Sequence, residues 1–266
     1  MKQFHTQDDL KIYLKTSGGT IGFVPTMGAL HAGHLALIET AKEQCDLVVC
    51  SIFVNPTQFN DPTDFEKYPK TLTSDLHLLN EMGCDVVYTP EVGDLYPTGM
   101  ANLPHYPLGR LEELLEGAHR PGHFQGVCVV VDRLLQAVKP DNLYMGQKDF
   151  QQIAVVRRML EITDSQVQLI ACPTVREASG LALSSRNTRL SAEQKNQALA
   201  IYQGFNSPSA AAFEAKLIAN GFDSVDYVAC CDPLTLENKP WGERPFQLLV
   251  AAFIGGVRLI DNQYLP

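Results

Sequence analysis

The chain has 266 residues, 45% of them hydrophobic and 19% charged, with a formal net charge of −9. That length is enough for one large domain or two modest ones with a substantial core, and the composition excludes disordered and fibrous classes. The acidic balance argues against a chain that binds nucleic acid through overall charge, so any anionic substrate must be met by a local basic pocket.

In chain order, apolar runs alternate with amphipathic ones through the first two thirds. "TIGFVPT" (20–26) predicts a strand, residues 34–44 a helix, "DLVVCSIFVN" (46–55) a strand, residues 72–82 a helix and "DVVYTP" (85–90) a strand. The segment "FQGVCVVVDRLLQAV" has a valine run that suits a strand and a Leu134, Leu135, Val138 spacing that suits a helix; we read it as helix, because "NLYMG" (142–146) supplies the next strand. A helix over 149–163 and a strand "QVQLIACPT" (166–174) follow. This alternation is the pattern of βαβ units around a buried parallel sheet, an α/β class.

The chain changes character near Pro173. A loop rich in Ser, Arg and Asn (176–189) leads to a helix capped at Ser191, where Ser-x-Glu offers the cap, and to a second helix over 209–220. Strand-like runs "VDYVACC", "FQLLVAAFI" and "VRLIDN" then suit a smaller α+β domain. The expected division is 1–174 and 175–266.

The seven cysteines (Cys45, Cys50, Cys84, Cys128, Cys172, Cys230, Cys231) sit mostly in apolar stretches, show no C-x-x-C spacing and are odd in number, so they read as reduced core thiols. The opening "MKQFHTQDDLKIYL" has no apolar leader segment, and no run approaches the roughly 18 apolar residues of a membrane span. The expectation is a cytoplasmic protein that binds neither membrane nor nucleic acid.

Four clusters carry candidate chemistry. In "PTMGALHAGH" a strand hands over to a helix with His34 in its first turn, where unpaired backbone N–H groups and the positive dipole end make an anion site. Gly28 and Gly33 let the backbone approach a phosphate, and His31 and His34 can donate to charge developing on pyrophosphate. The plainer readings are a helix cap or a weak metal site; zinc lacks a third ligand at a convincing local spacing. "FVNPTQF" puts Asn55 and Gln58 at the next strand's carboxyl end, where amides can orient a small acid, or simply form an Asn-Pro turn with Gln58 solvated.

"YMGQKDFQQ" offers Gly146 for a tight turn, Lys148 for phosphate oxygens, Asp149 as helix cap or as ligand of ribose or a metal-bound water, and Gln152 one turn on; the alternative is a plain capped helix start. "LALSSRN" places two hydroxyls and Arg186 in a loop suited to polyphosphate, within fourteen residues that also hold Arg176 and Arg189, or else forms a solvated interdomain loop. "LLEGAHRPGHFQGV" (114–127) carries His119, Arg120 and His123 and reads equally as pocket wall or lid.

Taken together in this order, P-T-M-G-A-L-H-x-G-H, F-V-N-P-x-Q-F, G-x-K-D-x-x-Q and L-x-S-S-R-N resemble the pantoate–β-alanine ligase family, over about Gly22 to Leu190. "YPKTL" (68–72), "RPGHFQGV" (120–127) and "KPDNLYMGQKDFQQ" (139–152) belong to the same resemblance. It implies a Rossmann-like parallel sheet flanked by helices, a smaller C-terminal α+β lid domain, and a homodimer. It also implies the AMP-forming condensation of (R)-pantoate with β-alanine through a pantoyl adenylate, using ATP and Mg2+, in pantothenate and coenzyme A biosynthesis. By position, ATP would be held by Met27, Gly28, Ala29, Leu30, His31, Ala32, Gly33, His34, Gly146, Gln147, Lys148, Asp149, Val175, Leu183, Ser184, Ser185 and Arg186. His34, with His31, Lys148 and Arg186, would be catalytic; Gln58, Gln152 and Asn55 would meet the acid substrate, and Gln58 would border the β-alanine site. No residue is assigned to the metal.

The chain departs from the family pattern at Ala32 and Gln147, where Glu is common, and at Ser179, where Asp is common; the tail after Leu190 is shorter and less typical. The alternatives to a ligase are a related nucleotidyltransferase that stops after passing a nucleotide to a phosphorylated acceptor, and a nucleotide-binding regulatory module. Gln58 and Gln152, suited to a hydroxy acid, argue against the first; His31, His34, Lys148 and Arg186 argue against the second.

Overall fold

The computed structural model describes residues 1–59 and 65–266. The chain separates into two compact units: Met1–Gln147 with Gln152–Cys172, and Lys148–Gln151 with Pro173–Pro266. The short segment carrying Lys148 therefore groups with the second unit although unit-one sequence flanks it on both sides.

The first unit is a six-stranded sheet in the order β1-β4-β3-β2-β5-β6, all neighbours parallel. Its strands are β1 (Lys2–Phe4), β2 (Ile21–Thr26), β3 (Leu47–Ile52), β4 (Val86–Tyr88), β5 (Asn142–Gly146) and β6 (Gln168–Cys172). Side-chain alternation divides the core between the two faces. Phe23, Val49, Val86 and Leu143 pack on one side with helices α1 (Gln7–Ser17), α4 (His123–Val138) and α5 (Phe150–Ile162). Val24, Val48, Cys50 and Tyr144 pack on the other with α2 (Ala32–Gln44) and α3 (Leu72–Glu81).

β1 and α1 are additions to the elements expected from sequence. β1 is three residues long and mostly exposed at the sheet edge, so it shows no apolar run. α1 does carry a start signal, Thr6 accepting from the Asp9 backbone N–H, in a charged stretch that hides it.

Strand order turns at β2, which has β3 on one side and β5 on the other, the place where open parallel sheets bind ligands beyond their carboxyl ends. The sequence itself opens that crevice. Ile21 gives its carbonyl to Asp141 on the β5 side and Thr26 gives its own to Phe53 on the β3 side, so alternation turns Pro25 toward β5. Proline has no N–H to offer there. The β2–β5 register accordingly covers only Gly22 with Asn142 and Phe23 with Leu143, while β2–β3 pairing runs on to Thr26 with Ile52.

The second unit has an antiparallel sheet β7-β8-β9, of strands β7 (Ser224–Cys231), β8 (Phe246–Ile254) and β9 (Val257–Leu265), with helices α6 (Ala192–Gly204) and α7 (Ala210–Ala219). Its own core includes Phe213, Leu217, Leu248, Val250 and Ala252. The cap of α6 differs from expectation: Ser191 forms a capping box with Gln194, not with Glu193, because the reciprocal bond needs the third helical position. No helix among the described residues is long and apolar enough to cross a membrane.

Candidate active site

At the end of β2 the chain turns sharply through Gly28, at φ +79°, and Ala29, at φ +50°. Both lie in the left-handed region that a side chain disfavours, so this loop needs an external hold. Asp75, buried near the start of α3, provides it: its carboxylate accepts from the backbone N–H groups of Ala29 at 3.0 Å and Leu30 at 2.8 Å, and from Thr71 Oγ1 at 3.0 Å.

The loop delivers His31 to the N-cap and His34 to the third position of α2, and the two rings form the cap. His31 Nδ1 accepts from the Gly33 backbone N–H at 3.1 Å, and His34 Nδ1 accepts from the His31 backbone N–H at 3.3 Å. Each Nδ1 must be unprotonated to accept, which puts the ring proton on Nε2 and makes both rings Nε2–H donors. A zinc-bound Nε2 would require the reverse, a protonated Nδ1 that donates. The capping bonds and zinc ligation are thus incompatible, and no group of three or more His, Cys, Asp or Glu able to hold a metal occurs among the described residues.

Beyond β3, the Asn-Pro turn is no solvated loop. Asn55 is 1% exposed; its Oδ1 accepts from Tyr96 OH at 2.8 Å and Thr57 Oγ1 at 3.2 Å, and its Nδ2 donates to Gln58 Oε1 at 3.1 Å and the Gly126 carbonyl at 3.2 Å. Burial raises the Tyr96 phenol pKa, which keeps it a donor. Gln58, also buried, sends Nε2 to Met27 Sδ at 2.9 Å, so the first two sequence clusters meet.

Part of the stretch read as wall or lid packs against the turn that carries Gln58. His123 Nδ1 lies 2.7 Å from the Gln58 carbonyl, Arg120 Nη2 donates to the same oxygen at 3.5 Å, and a Cβ on Gly126 would collide with the Thr57 carbonyl.

Gly146 ends β5 without a positive φ, and a Cβ added there would meet nothing within 4 Å among the described residues. The short 3-10 turn Gln147–Asp149 follows, and Gln152 lies in α5, partly buried.

In the second unit, Lys148 Nζ sits 3.6 Å from Asp149 Oδ2. Leu183 donates its N–H to the Val175 carbonyl at 3.0 Å. Ser184 caps the turn Ser185–Arg189 by accepting from the Arg186 N–H at 3.3 Å.

The model of the Pantoate-beta-alanine ligase family matches residues 2–264. The chain belongs to the pantoate–β-alanine ligase family. It is 47% identical over 261 residues to a pantothenate synthetase of Sphingopyxis alaskensis, covering 94% of this chain and 93% of that one. A crystal structure of pantothenate synthetase from Thermus thermophilus superposes with a TM-score of 0.90 at 40% identity, covering 99% of each chain. A pantoate-beta-alanine ligase from Francisella tularensis, complexed with beta-gamma ATP and beta-alanine, does so with a TM-score of 0.88 at 36% identity, covering 99% of this chain and 97% of that one.

The match to this ligase family extends past Leu190, where the sequence resemblance stopped, to residue 264 of the second unit. The assigned residues divide between units. Met27 to His34, Asn55, Gln58, Gly146, Gln147 and Gln152 belong to the first; Lys148, Asp149, Val175 and Leu183 to Arg186 belong to the second. Asp75 and Tyr96, which hold backbone or amide groups of assigned residues, are not among the residues singled out from sequence; His123 is among them, as pocket wall or lid, and its contact with the Gln58 carbonyl is not foreseen there. Asp75 alone left a trace, an acid one turn after Thr71 at a helix start, which ordinarily reads as a favourable dipole contact.

Proposed function

We propose that this chain joins (R)-pantoate to β-alanine at the expense of MgATP, giving pantothenate, AMP and pyrophosphate through a bound pantoyl adenylate. The observation that carries this reading is a helix start that presents two Nε2–H donors, led into by a loop whose Met27 is bonded to the Gln58 amide. A thioether is a weak acceptor, so Gln58 Nε2 can exchange Met27 for a hydroxyl or carboxylate oxygen of pantoate. Gln152 is the second amide assigned to that acid.

In the first step a pantoate carboxylate oxygen attacks the α-phosphorus, and the bond to the β-phosphate bridging oxygen breaks with its electrons going to pyrophosphate. Alignment and neutralisation of the leaving charge are what the site must supply. His34 Nε2–H, with His31 beside it, donates to the phosphate oxygens at the positive end of α2. Lys148 and Arg186 stabilise the departing pyrophosphate, and Ser184, Ser185 and the backbone at Val175 and Leu183 line its path. The open space over Gly146 suits a nucleotide close to the backbone. In the second step the β-alanine amine attacks the acyl carbon of the adenylate, AMP leaves, and the amide of pantothenate forms.

Magnesium belongs to this reading as the ion of the MgATP substrate, which keeps waters and rides on phosphates with one or two carboxylates. A cytoplasmic, homodimeric enzyme completes the proposal, its dimer checked by light scattering on the eluted protein. The direct test of the reaction is product analysis: ATP, Mg2+, (R)-pantoate and β-alanine should yield AMP and pantothenate in equal amounts. ADP as product, or AMP without pantothenate, would overturn it.

A further inference from the structure

The two cations assigned to the phosphates, Lys148 and Arg186, have no contact in common that their sequence positions announce. Within the second unit, however, two neighbouring residues of β9 reach the segments that carry them. Asn262 Nδ2 donates to the Lys148 backbone carbonyl at 2.8 Å. Asn262 Oδ1 accepts from Gln247 Nε2 on β8 at 2.8 Å, so the amide is held at both ends and a flip would break both bonds.

Asp261 works on the other segment. Its carboxylate takes Arg176 Nη1 at 2.5 Å and Nη2 at 2.9 Å, a two-pronged pair that fixes orientation as well as charge. Arg176 also donates to the Gly180 carbonyl at 3.1 Å and lies 4.9 Å over the Tyr202 ring. The backbone of Arg176 bridges to Ala182, and Val175 bonds Leu183, which shapes the approach to Ser184, Ser185 and Arg186. The two anchors are themselves tied, since the Asn262 backbone N–H donates to Asp261 Oδ1 at 2.8 Å. Both are buried, at 5% and 7% exposure, where a pair so placed is better suited to fixing geometry than to adding net stability.

We propose that Asp261 and Asn262 are positioning residues for adenylation: Asn262 sets the backbone of Lys148, and Asp261, through Arg176, sets the loop of Arg186. One dipeptide of the last strand thereby registers both phosphate-directed cations. The inference rests on the assignment of Lys148 and Arg186 to the phosphates. Neither Asp261 nor Asn262 touches a reacting atom; they act by placement, and misplacement of an aligned group by about 1 Å costs on the order of 10²-fold in rate.

The test measures pyrophosphate formation in Asn262→Asp, Lys148→Ala and the double variant. Asn262→Asp keeps the size of the side chain and the acceptor for Gln247, but turns an oxygen toward the Lys148 carbonyl. Lys148→Ala keeps that carbonyl. The expected result is a fall in kcat of about tenfold or more for Asn262→Asp with KM for pantoate unchanged, and no further fall when it is added to Lys148→Ala. Asp261→Asn gives an independent reading should Asn262→Asp fail to fold: it keeps the acceptor for the Asn262 N–H, removes the negative charge that pairs with Arg176, and should lower kcat in the same way. A lowered melting temperature with unchanged kcat per folded enzyme overturns the inference, as do effects of Asn262→Asp and Lys148→Ala that multiply. Full activity in Lys148→Ala would instead remove the assignment of Lys148 itself.

Discussion

Asp75 holds the histidine loop from a distance of 45 residues in sequence: its Oδ1 receives the backbone N–H of Leu30 at 2.8 Å, and its Oδ2 that of Ala29 at 3.0 Å. A Cβ on Gly28 would come within 2.9 Å of the same carboxylate. The left-handed turn, the glycine and the acid are one device, and its product is the placement of His31 and His34 at the head of α2.

Removing that acceptor leaves two loop N–H groups and a hydroxyl without it. Asp75→Ala should therefore lose about 3 kcal/mol of stability, read by urea unfolding, and lower kcat at least about tenfold. Asp75→Asn, which keeps one acceptor oxygen, should fall between it and the parent. Parent-like stability and activity in Asp75→Ala would remove Asp75 from the account.

His34→Ala should leave the circular dichroism spectrum intact and cut pyrophosphate formation by on the order of 10² or more, the effect of deleting a donor to developing charge. Turnover near that of the parent would refute the role given to His34.

Gly126→Ala drives a methyl group into the Thr57 carbonyl, on the turn that carries Gln58. The overpacking should cost about 1–3 kcal/mol, and KM for pantoate should rise while KM for ATP holds. A rise in both together would show that the turn serves the nucleotide as well.

Gln58→Ala and Gln152→Ala are expected to raise the pantoate requirement more than that for ATP. Equal effects on both substrates would undo the division of the pocket.

The thiols predict a pH dependence. Burial pushes Cys84, Cys128 and Cys231 up to about 12 from an ordinary 9.0. A raised folded pKa means that the native state holds its protons while the unfolded chain releases them. The stability due to these groups is complete below pH 9 and is lost as pH rises from there toward 12. Urea midpoints should fall between pH 8 and pH 10.5, and Cys→Ser or Cys→Ala replacements at these sites should flatten that fall. A midpoint that rises over this range would contradict the sign.

The sheet was legible because buried parallel strands are short apolar runs between turn signals, as in Leu47–Ile52, where nearly every side chain is buried. α4 was ambiguous for the converse reason: every residue from Gly126 to Val131 is buried, so within that run no polar position marks the helical period, which shows only once Gln125, Asp132, Arg133 and Gln136 are taken together. Of the candidate site, what could be read were the polar groups at helix starts and strand ends that are assigned to a ligand. The groups that hold them could not. Asp75 and Asn262 bind backbone atoms 45 and 114 residues away, and His123, noticed in the sequence, gave no sign of its partner 65 residues away, because a bond to a backbone atom leaves no mark on the side chain at the other end. Gln58 shows the difference within one residue. Its amide suggested a substrate, and nothing local showed that Asn55 and Met27 hold it buried.

The measurement that tests the central claim most directly is a single-turnover experiment with enzyme in excess over ATP, in the presence of Mg2+ and (R)-pantoate but no β-alanine. A two-step reaction gives one pyrophosphate per ATP with the nucleotide retained as pantoyl adenylate, and AMP released with pantothenate only once β-alanine is added. Pyrophosphate that appears only after β-alanine is present, or nucleotide that leaves as ADP, would contradict the two-step reaction.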